Sequence, residues 1–242
     1  MAESAPGAGE AAQVQSAPAA GPAADPAAGP SAAPVPTELA RELRRRLEGL
    51  NLYLVGMMGS GKSSVGRPLA EALGYRFLDA DTSLEQVAGR SIPELFAGEG
   101  EAGFRELEAA VLNQIAAWHS LVVATGGGVV TRPQNWGQLR QGVVIWLDAP
   151  DALLLQRLAA DPTPRPLMQA EDPASRLAEL LQERRPLYAQ ADLHIVQDGR
   201  PPEQVAWQLL EALPGILRQR PAGPAEAVSV LNADGAATHS IN

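Results

Sequence analysis

The feature that most constrains the fold of this chain is the octapeptide GMMGSGKS at positions 56–63, which directly follows the apolar run Leu52–Val55. It matches the phosphate-binding loop pattern GxxxxGK[ST] at every specified position. Lys62 is the only lysine in a chain of 242 residues that has 19 basic residues. Arginine can replace lysine on a solvated surface, but a phosphate cradle needs a slim ammonium that acts as a point charge. The pattern therefore predicts a parallel strand, a phosphate loop and a helix.

The chemistry of such a loop assigns a role to most of its residues. Glycines let the backbone curl so that successive N–H groups converge on an anion, and the following helix presents its positive N-terminal end to the same anion. Lys62 is expected to reach the β- and γ-phosphates, and the Ser63 hydroxyl to ligate Mg²⁺. The alternative is a chance glycine-rich turn between a strand and a helix. On the first interpretation the nucleotide-binding residues are Gly59, Ser60, Gly61, Lys62, Ser63 and Ser64.

Composition divides the chain into three parts. Residues 1–37 are mostly Ala, Pro, Gly and Ser, and we expect them to be disordered because they cannot bury enough apolar surface to offset their ordering entropy. Residues 221–242 are similarly rich in small residues, and we expect a disordered tail. Residues 38–220 are therefore predicted to form one compact α/β domain.

Charge and residue usage exclude several classes of function. The formal net charge is −9, but positions 41–220 hold 22 acidic and 19 basic residues, so the predicted domain is nearly balanced. Such a domain has no basic field for nucleic acid or an anionic membrane, and no apolar run is long enough to span a bilayer. The chain has no cysteine, which excludes disulfides and thiolate sites. We expect a cytoplasmic protein with neither nucleic-acid nor membrane partners.

Short apolar runs alternate with amphipathic stretches along the predicted domain. The runs lie at 52–55, 76–78, 121–124, 143–147 and 193–196, and the stretches lie near 62–73, 101–118, 151–160, 174–190 and 202–218. Alternation of this kind predicts a three-layer α/β/α fold with a five-stranded parallel sheet. A leading helix is expected from Glu38, with Thr37 as its cap. The proline-rich stretch 161–173 is expected to be a mobile lid.

Two polar clusters follow predicted strands at the edge where ligands bind in such sheets. Asp79 and Asp81 lie at the end of the second predicted strand, and in extended geometry both would project to the same side. For either acid alone, capping of the next helix is the competing interpretation. Gly126, Gly127 and Gly128 follow the third run and would let a small polar molecule approach the backbone closely.

Together these motifs resemble the shikimate kinase family of small phosphate-loop kinases. The matching stretches, in chain order, are GMMGSGKSSVG (56–66), FLDAD (77–81), GRSIPELF (89–96), GEAGFRELE (100–108), TGGGVV (125–130), RPL (165–167) and RRPLY (184–188). The resemblance implies a phosphotransferase with an alcohol group as acceptor, which phosphorylates shikimate with ATP and Mg²⁺ in aromatic amino-acid biosynthesis. It also implies a monomer.

The resemblance also implies the residues of an acceptor site. Asp81 would hold two shikimate hydroxyls and help activate the one that attacks. Arg105 and Arg184 would clamp the shikimate carboxylate. Gly127 and Gly128 would offer backbone contacts to a ring hydroxyl.

The remaining roles implied by the resemblance concern charge around the phosphates. Asp79 would hold Mg²⁺ mainly through water, together with Ser63. Arg165 would close from the lid onto the phosphates, and it would share the catalytic role with Lys62 and Asp81. Glu108 would orient Arg105, and Arg157 would lie near the adenine.

Three other functions compete with this one: another small-molecule kinase, a GTPase and a non-catalytic relative. Gluconate and adenylate kinases share the phosphate loop, but their acceptors do not call for a carboxylate clamp of Arg105 and Arg184 beside Asp81. A GTPase is excluded because its guanine-reading motif NKxD needs a second lysine. A non-catalytic relative with a binding role would be expected to lose acceptor residues that are present here.

Overall fold

The computed structural model describes residues 38–161 and 171–217. Its strands are β1 (Leu52–Val55), β2 (Arg76–Asp79), β3 (Leu121–Ala124), β4 (Val143–Asp148) and β5 (Leu193–Val196). They form one five-stranded sheet in the order β2-β3-β1-β4-β5, and every neighbouring pair is parallel. Since β1 lies at the centre, the loops after β1 and β3 leave the sheet side by side.

The helices pack on both faces of this sheet. They are α1 (Glu38–Leu47), α2 (Lys62–Leu73), α3 (Ala80–Ala88), α4 (Ile92–Ala116), α5 (Pro133–Leu139), α6 (Asp151–Ala160), α7 (Pro173–Tyr188) and α8 (Pro202–Ile216). A 3₁₀ turn covers Val129–Thr131. The five-stranded, three-layer α/β/α prediction is confirmed.

Alternate residues of β1 show how the layers are held together. Leu52 and Leu54 are buried against α1, α2 and α8, whereas Tyr53 and Val55 are buried against α3, α4 and α5. A strand that is apolar on both faces needs a helical layer on each, which explains why the short run LYLV is buried at all four positions. A third apolar cluster joins α6 and α7 to Met57 of the phosphate loop. The phosphate loop is therefore held by the sheet through β1 and by the α6–α7 pair through Met57.

The structure corrects the sequence-based elements in several places. Helices α3 and α5 were not among the predicted amphipathic stretches, because each is short and follows its strand or loop almost directly, although capping of a next helix by Asp79 or Asp81 was the competing interpretation. Helix α4 begins at Ile92, nine residues before the amphipathic stretch that predicted it, since a capping box at Ser91 and Glu94 starts it there. The expected disordered ends 1–37 and 221–242 lie outside the described residues, as does most of the predicted lid. Within the described ranges, no helix is both long and apolar enough to cross a membrane.

Candidate active site

The phosphate loop joins β1 to α2 as its sequence predicts. Gly56, Gly59 and Gly61 have φ of 142°, 79° and 87°, a region that favours glycine. A Cβ at Gly56 would also overlap the carbonyl oxygen of Leu147 on β4. Gly61 is the N-cap of α2 and no side chain caps this helix, so the first N–H groups of α2 face the loop. The backbone is thus arranged to bind an anion.

Lys62 lies inside the loop and is almost completely buried. Its Nζ donates hydrogen bonds to the carbonyl oxygens of Gly56 and Met57, both at 2.9 Å. Ser60 Oγ is buried and has no hydrogen-bond partner among the described residues. An ammonium held across the loop in this way adds positive charge where the N–H groups converge.

Two side chains from outside the loop hold its shape. Arg157 on α6 donates to the carbonyl oxygen of Gly59 at 3.1 Å and to Gln197 Oε1 at 3.3 Å. The amide of Gln197, which directly follows β5, donates to the carbonyl oxygen of Ser60. Arg157 was expected near the adenine, and no role was predicted for Gln197. Its position just after the last predicted strand, at the ligand-binding edge of the sheet, is its only signal in the sequence, and position alone does not identify its partner.

The metal-binding pair expected from the sequence lies at the mouth of the loop. Ser63 Oγ donates to Asp79 Oδ2 at 2.6 Å, so a hydroxyl and a carboxylate oxygen are adjacent. The described ranges hold no group of three or more His, Cys, Asp or Glu residues that could bind a metal ion. This donor set fits Mg²⁺, which is usually held by one or two carboxylates together with substrate phosphates and water.

The predicted geometry of the two acids is wrong in one respect. Only Asp79 is extended, and it caps α3 by accepting from the N–H groups of Asp81 and Thr82 at 3.1 and 3.4 Å. Asp81 lies in the first turn of α3 instead of continuing the strand. An Asp at an N-cap satisfies free N–H groups of the helix, and the strand therefore ends at Asp79, two residues before the end of the FLDAD run.

Asp81 nevertheless faces the predicted acceptor residues. It lines a small cavity together with Glu108, Thr125 and Gly126. Glu108 Oε2 accepts a hydrogen bond from Arg105 Nη1 at 2.8 Å, and the side chains of Arg105 and Glu108 are 12% and 7% exposed. The expected orientation of Arg105 by Glu108 is therefore present in the structure. Glu108 Oε1 is buried without a partner in the described part of the chain.

The three glycines that follow β3 each touch a different part of the site. A Cβ on Gly126 would lie 2.8 Å from Glu108 Oε1 and 2.9 Å from Asp81 Oδ1. One on Gly127 would lie 3.3 Å from the backbone nitrogen of Met58 in the phosphate loop. One on Gly128 would overlap the guanidinium of Arg105. None of the three has a positive φ, so space and not backbone conformation requires glycine here.

Arg184, the second arginine of the predicted clamp, lies on α7. It is 9% exposed, and its Nε is buried with no hydrogen-bond partner among the described residues. Tyr188, one turn later, donates from its hydroxyl to the carbonyl oxygen of Gly127 at 2.5 Å. Burial raises the pKa of Tyr188 to about 12, while the charge and hydrogen bonding of Arg184 act in the opposite direction. Tyr188 belongs to the RRPLY motif, but no role was predicted for it.

One predicted site residue lies outside the described part of the chain. Arg165, expected to close from the lid onto the phosphates, lies in the range 162–170, outside the described residues. The carboxyl edge of the sheet holds the other predicted site residues: the phosphate loop, Ser63 with Asp79, Asp81 with Glu108 and Arg105, the three glycines and Arg184.

Comparison with known proteins decides the family. The family model described as shikimate kinase matches residues 58–214. The chain belongs to the shikimate kinase family. A shikimate kinase of Synechococcus sp. (strain RCC307) is 61% identical over 173 residues, which cover 72% of this chain and 89% of that protein. One of Prochlorococcus marinus (strain MIT 9313) is 55% identical over 177 residues, covering 73% and 92%.

Solved structures of shikimate kinases agree with this assignment. The shikimate kinase from Acinetobacter baumannii in complex with shikimate superposes with a TM-score of 0.68 at 41% identity, covering 72% of this chain and 97% of that one. The shikimate kinase from Aquifex aeolicus superposes with a TM-score of 0.61 at 35% identity, covering 69% and 97%. The fold expected from the resemblance is therefore confirmed. Helix α1, which packs on α2 and α8, precedes the region matched by the family model.

Proposed function

We propose that this chain transfers the γ-phosphoryl group of ATP to a hydroxyl of shikimate, giving shikimate 3-phosphate. Membership of the shikimate kinase family supports this reaction. One observation supports assigning this reaction to particular residues, namely the contacts of the segment Gly126–Gly128. This short segment touches the phosphate loop on one side and Asp81, Glu108 and Arg105 on the other. These contacts support a nucleotide site and an acceptor site that are adjacent at one edge of the sheet.

The acceptor would be recognised by charge and by hydrogen bonding. Arg105 and Arg184 present guanidinium groups, which match a carboxylate with two parallel hydrogen bonds. Arg105 is held in place by Glu108, so part of its ordering cost is met before shikimate binds. Asp81 would accept a hydrogen bond from the attacking hydroxyl and hold it in line with the γ-phosphate. Gly127 and Gly128 would contact a ring hydroxyl through their backbone.

The nucleotide would be bound by residues 59–64. Lys62 would exchange its bonds to Gly56 and Met57 for bonds to the β- and γ-phosphates, which are stronger because both partners are charged. Ser63 and Asp79 would hold Mg²⁺, which supplies positive charge to the phosphates when bound. Arg165 would add a further positive charge at the γ-phosphate. Phosphoryl transfer needs positioning and charge neutralisation more than covalent chemistry, and these residues provide both.

We also propose that the chain acts as a monomer in the cytoplasm. Every residue assigned to the proposed site belongs to this chain, so the proposed mechanism uses no residue of a second copy.

A coupled assay of ADP release tests the proposed reaction. Purified protein with ATP and Mg²⁺ should release ADP rapidly when shikimate is added and only slowly without it, because the acceptor completes the site. Gluconate and AMP serve as alternative acceptors, since kinases of those substrates share the phosphate loop. ADP release that is indifferent to shikimate, or that is faster with gluconate or AMP, would refute the proposal. Mass spectrometry of the product should show shikimate with one added phosphate.

A further inference from the structure

We propose that Tyr188 is a positioning residue that links the carboxylate-binding Arg184 to the glycine segment Gly126–Gly128. This inference rests on the proposed function, because both partners of Tyr188 belong to the proposed shikimate site. Tyr188 would not touch the substrate. It would set the distance between the guanidinium on α7 and the backbone of the loop after β3.

The contacts of Tyr188 place it between these two elements. Its hydroxyl donates to the carbonyl oxygen of Gly127 at 2.5 Å, and Arg184 lies one helical turn earlier on α7. The side chain has no exposed surface, and its ring packs on Trp146 of β4 with ring centroids 5.9 Å apart. A ring wedged in this way allows the hydroxyl little movement. The hydrogen bond therefore fixes the loop relative to a rigid part of the core.

The protonation state of Tyr188 suits this role. Desolvation raises its pKa to about 12, so the phenol keeps its proton throughout the working range of an enzyme. A neutral phenol can donate to Gly127 and still accept with its oxygen lone pairs, whereas a phenolate could only accept. The nearby positive charges of Arg184 and Arg105 lower the pKa less than burial raises it. The hydroxyl that donates to the loop therefore keeps its proton across the neutral pH range.

The other side of the glycine segment explains why this bond matters. Gly127 lies against the backbone of Met58 in the phosphate loop, and Gly128 lies against the guanidinium of Arg105. If the hydrogen bond from Tyr188 is lost, Gly127 is free to shift. The positions of the Arg105 and Arg184 guanidinium groups relative to each other are then no longer fixed. The phosphate loop has its own supports in Arg157 and Gln197. Loss of the Tyr188 hydroxyl should therefore affect shikimate much more than ATP.

The substitution Tyr188→Phe tests this by removing one oxygen atom. The KM for shikimate is expected to rise about fivefold, as the loss of one hydrogen bond of about 1 kcal/mol implies, with the KM for ATP unchanged within about twofold. Tyr53→Phe is the matched control, because Tyr53 is also a buried phenol of the same apolar cluster. Its hydroxyl meets Asn51 at the start of β1, away from the site. The control should leave both KM values unchanged even if it lowers the melting temperature.

Three results would overturn the inference. One is an unchanged KM for shikimate in Tyr188→Phe, with only a loss of thermal stability. Another is an equal rise of both KM values. The third concerns wild type: if it released no ADP with shikimate, the proposed function would fail and this inference with it. If the wild type is active and the KM for shikimate is unchanged in Tyr188→Phe, the inference fails and the proposed function stands.

A second measurement does not depend on the folding of the variant. The chain has three tyrosines, so incorporation of 3-fluorotyrosine gives three ¹⁹F resonances. They can be assigned with Tyr53→Phe and Tyr75→Phe. Addition of shikimate without nucleotide should shift the resonance of Tyr188 and leave that of Tyr53 in place. A resonance of Tyr188 that does not move at saturating shikimate would contradict the linking role.

Discussion

At the scale of single residues, the site depends on the absence of side chains as much as on their presence. Gly128 has φ of −96° and ψ of −1°, a conformation open to any residue, yet a Cβ there would overlap the Arg105 guanidinium. Arg105 in turn is fixed by Glu108 and so cannot move aside without breaking a buried ion pair. Even one methyl group added at Gly128 therefore displaces Arg105, a residue of the proposed carboxylate clamp.

Gly128→Ala measures that dependence. We expect kcat/KM for shikimate to fall about 100-fold, since a displacement of about 1 Å at a positioning residue has an effect of that size. Gly137→Ala is the matched control, because Gly137 lies in nearby α5 with no atom within 4 Å of an added Cβ. The control should keep its activity and gain slightly in stability from better helix propensity. Similar activities of the two variants in steady-state kinetics would show that the contact with Arg105 is unimportant.

At the scale of elements, α4 owes its shape to one glycine. Gly100 has φ of 68° and ψ of −175°, so the helix breaks there into a segment 92–99 and a segment 101–116. The second segment carries Arg105 and Glu108, and the first is started by a capping box at Ser91 and Glu94. Hydrogen bonds from Ser91 lower the pKa of Glu94, as expected for an ionised capping residue. The break therefore sets the direction from which Arg105 enters the site.

Gly100→Ala should lower the free energy of unfolding by about 1–3 kcal/mol, because the backbone at this position is accessible almost only to glycine. Gly98→Ala, two residues earlier on the same helix and without a positive φ, should be neutral or slightly stabilising. Urea unfolding of both variants provides the comparison. Equal stabilities would mean that the break tolerates a side chain and is not set by Gly100.

At the scale of the whole molecule, sequence patterns predicted what depends on neighbours in the chain. The strand, loop and helix around Lys62 follow from local chemistry, and so do the glycines after β3. Asp81 was placed at the right edge of the sheet but in the wrong conformation, because the capping of α3 by Asp79 competes with extension of the strand. Local patterns contain no comparable signal for contacts between distant segments.

Gln197 and Tyr188 illustrate that limit. Each is a single polar side chain whose partner lies far away in sequence, at Ser60 and at Gly127 respectively. Their roles depend on the strand order β2-β3-β1-β4-β5, which brings the ends of β1, β3 and β5 together with α7. A hydrogen bond of this kind becomes visible only when the packed molecule is known.

The central claim is that a nucleotide half and an acceptor half meet at one edge of the sheet and that Asp81 belongs to the acceptor half. The substitution Asp81→Asn, assayed for shikimate-dependent ADP release and for ATP binding by calorimetry, tests this most directly. Removing the carboxylate should lower kcat by about 100-fold or more, the usual contribution of a positioned base, and leave the affinity for ATP nearly unchanged. Near-normal turnover, or a parallel loss of ATP binding, would contradict the account.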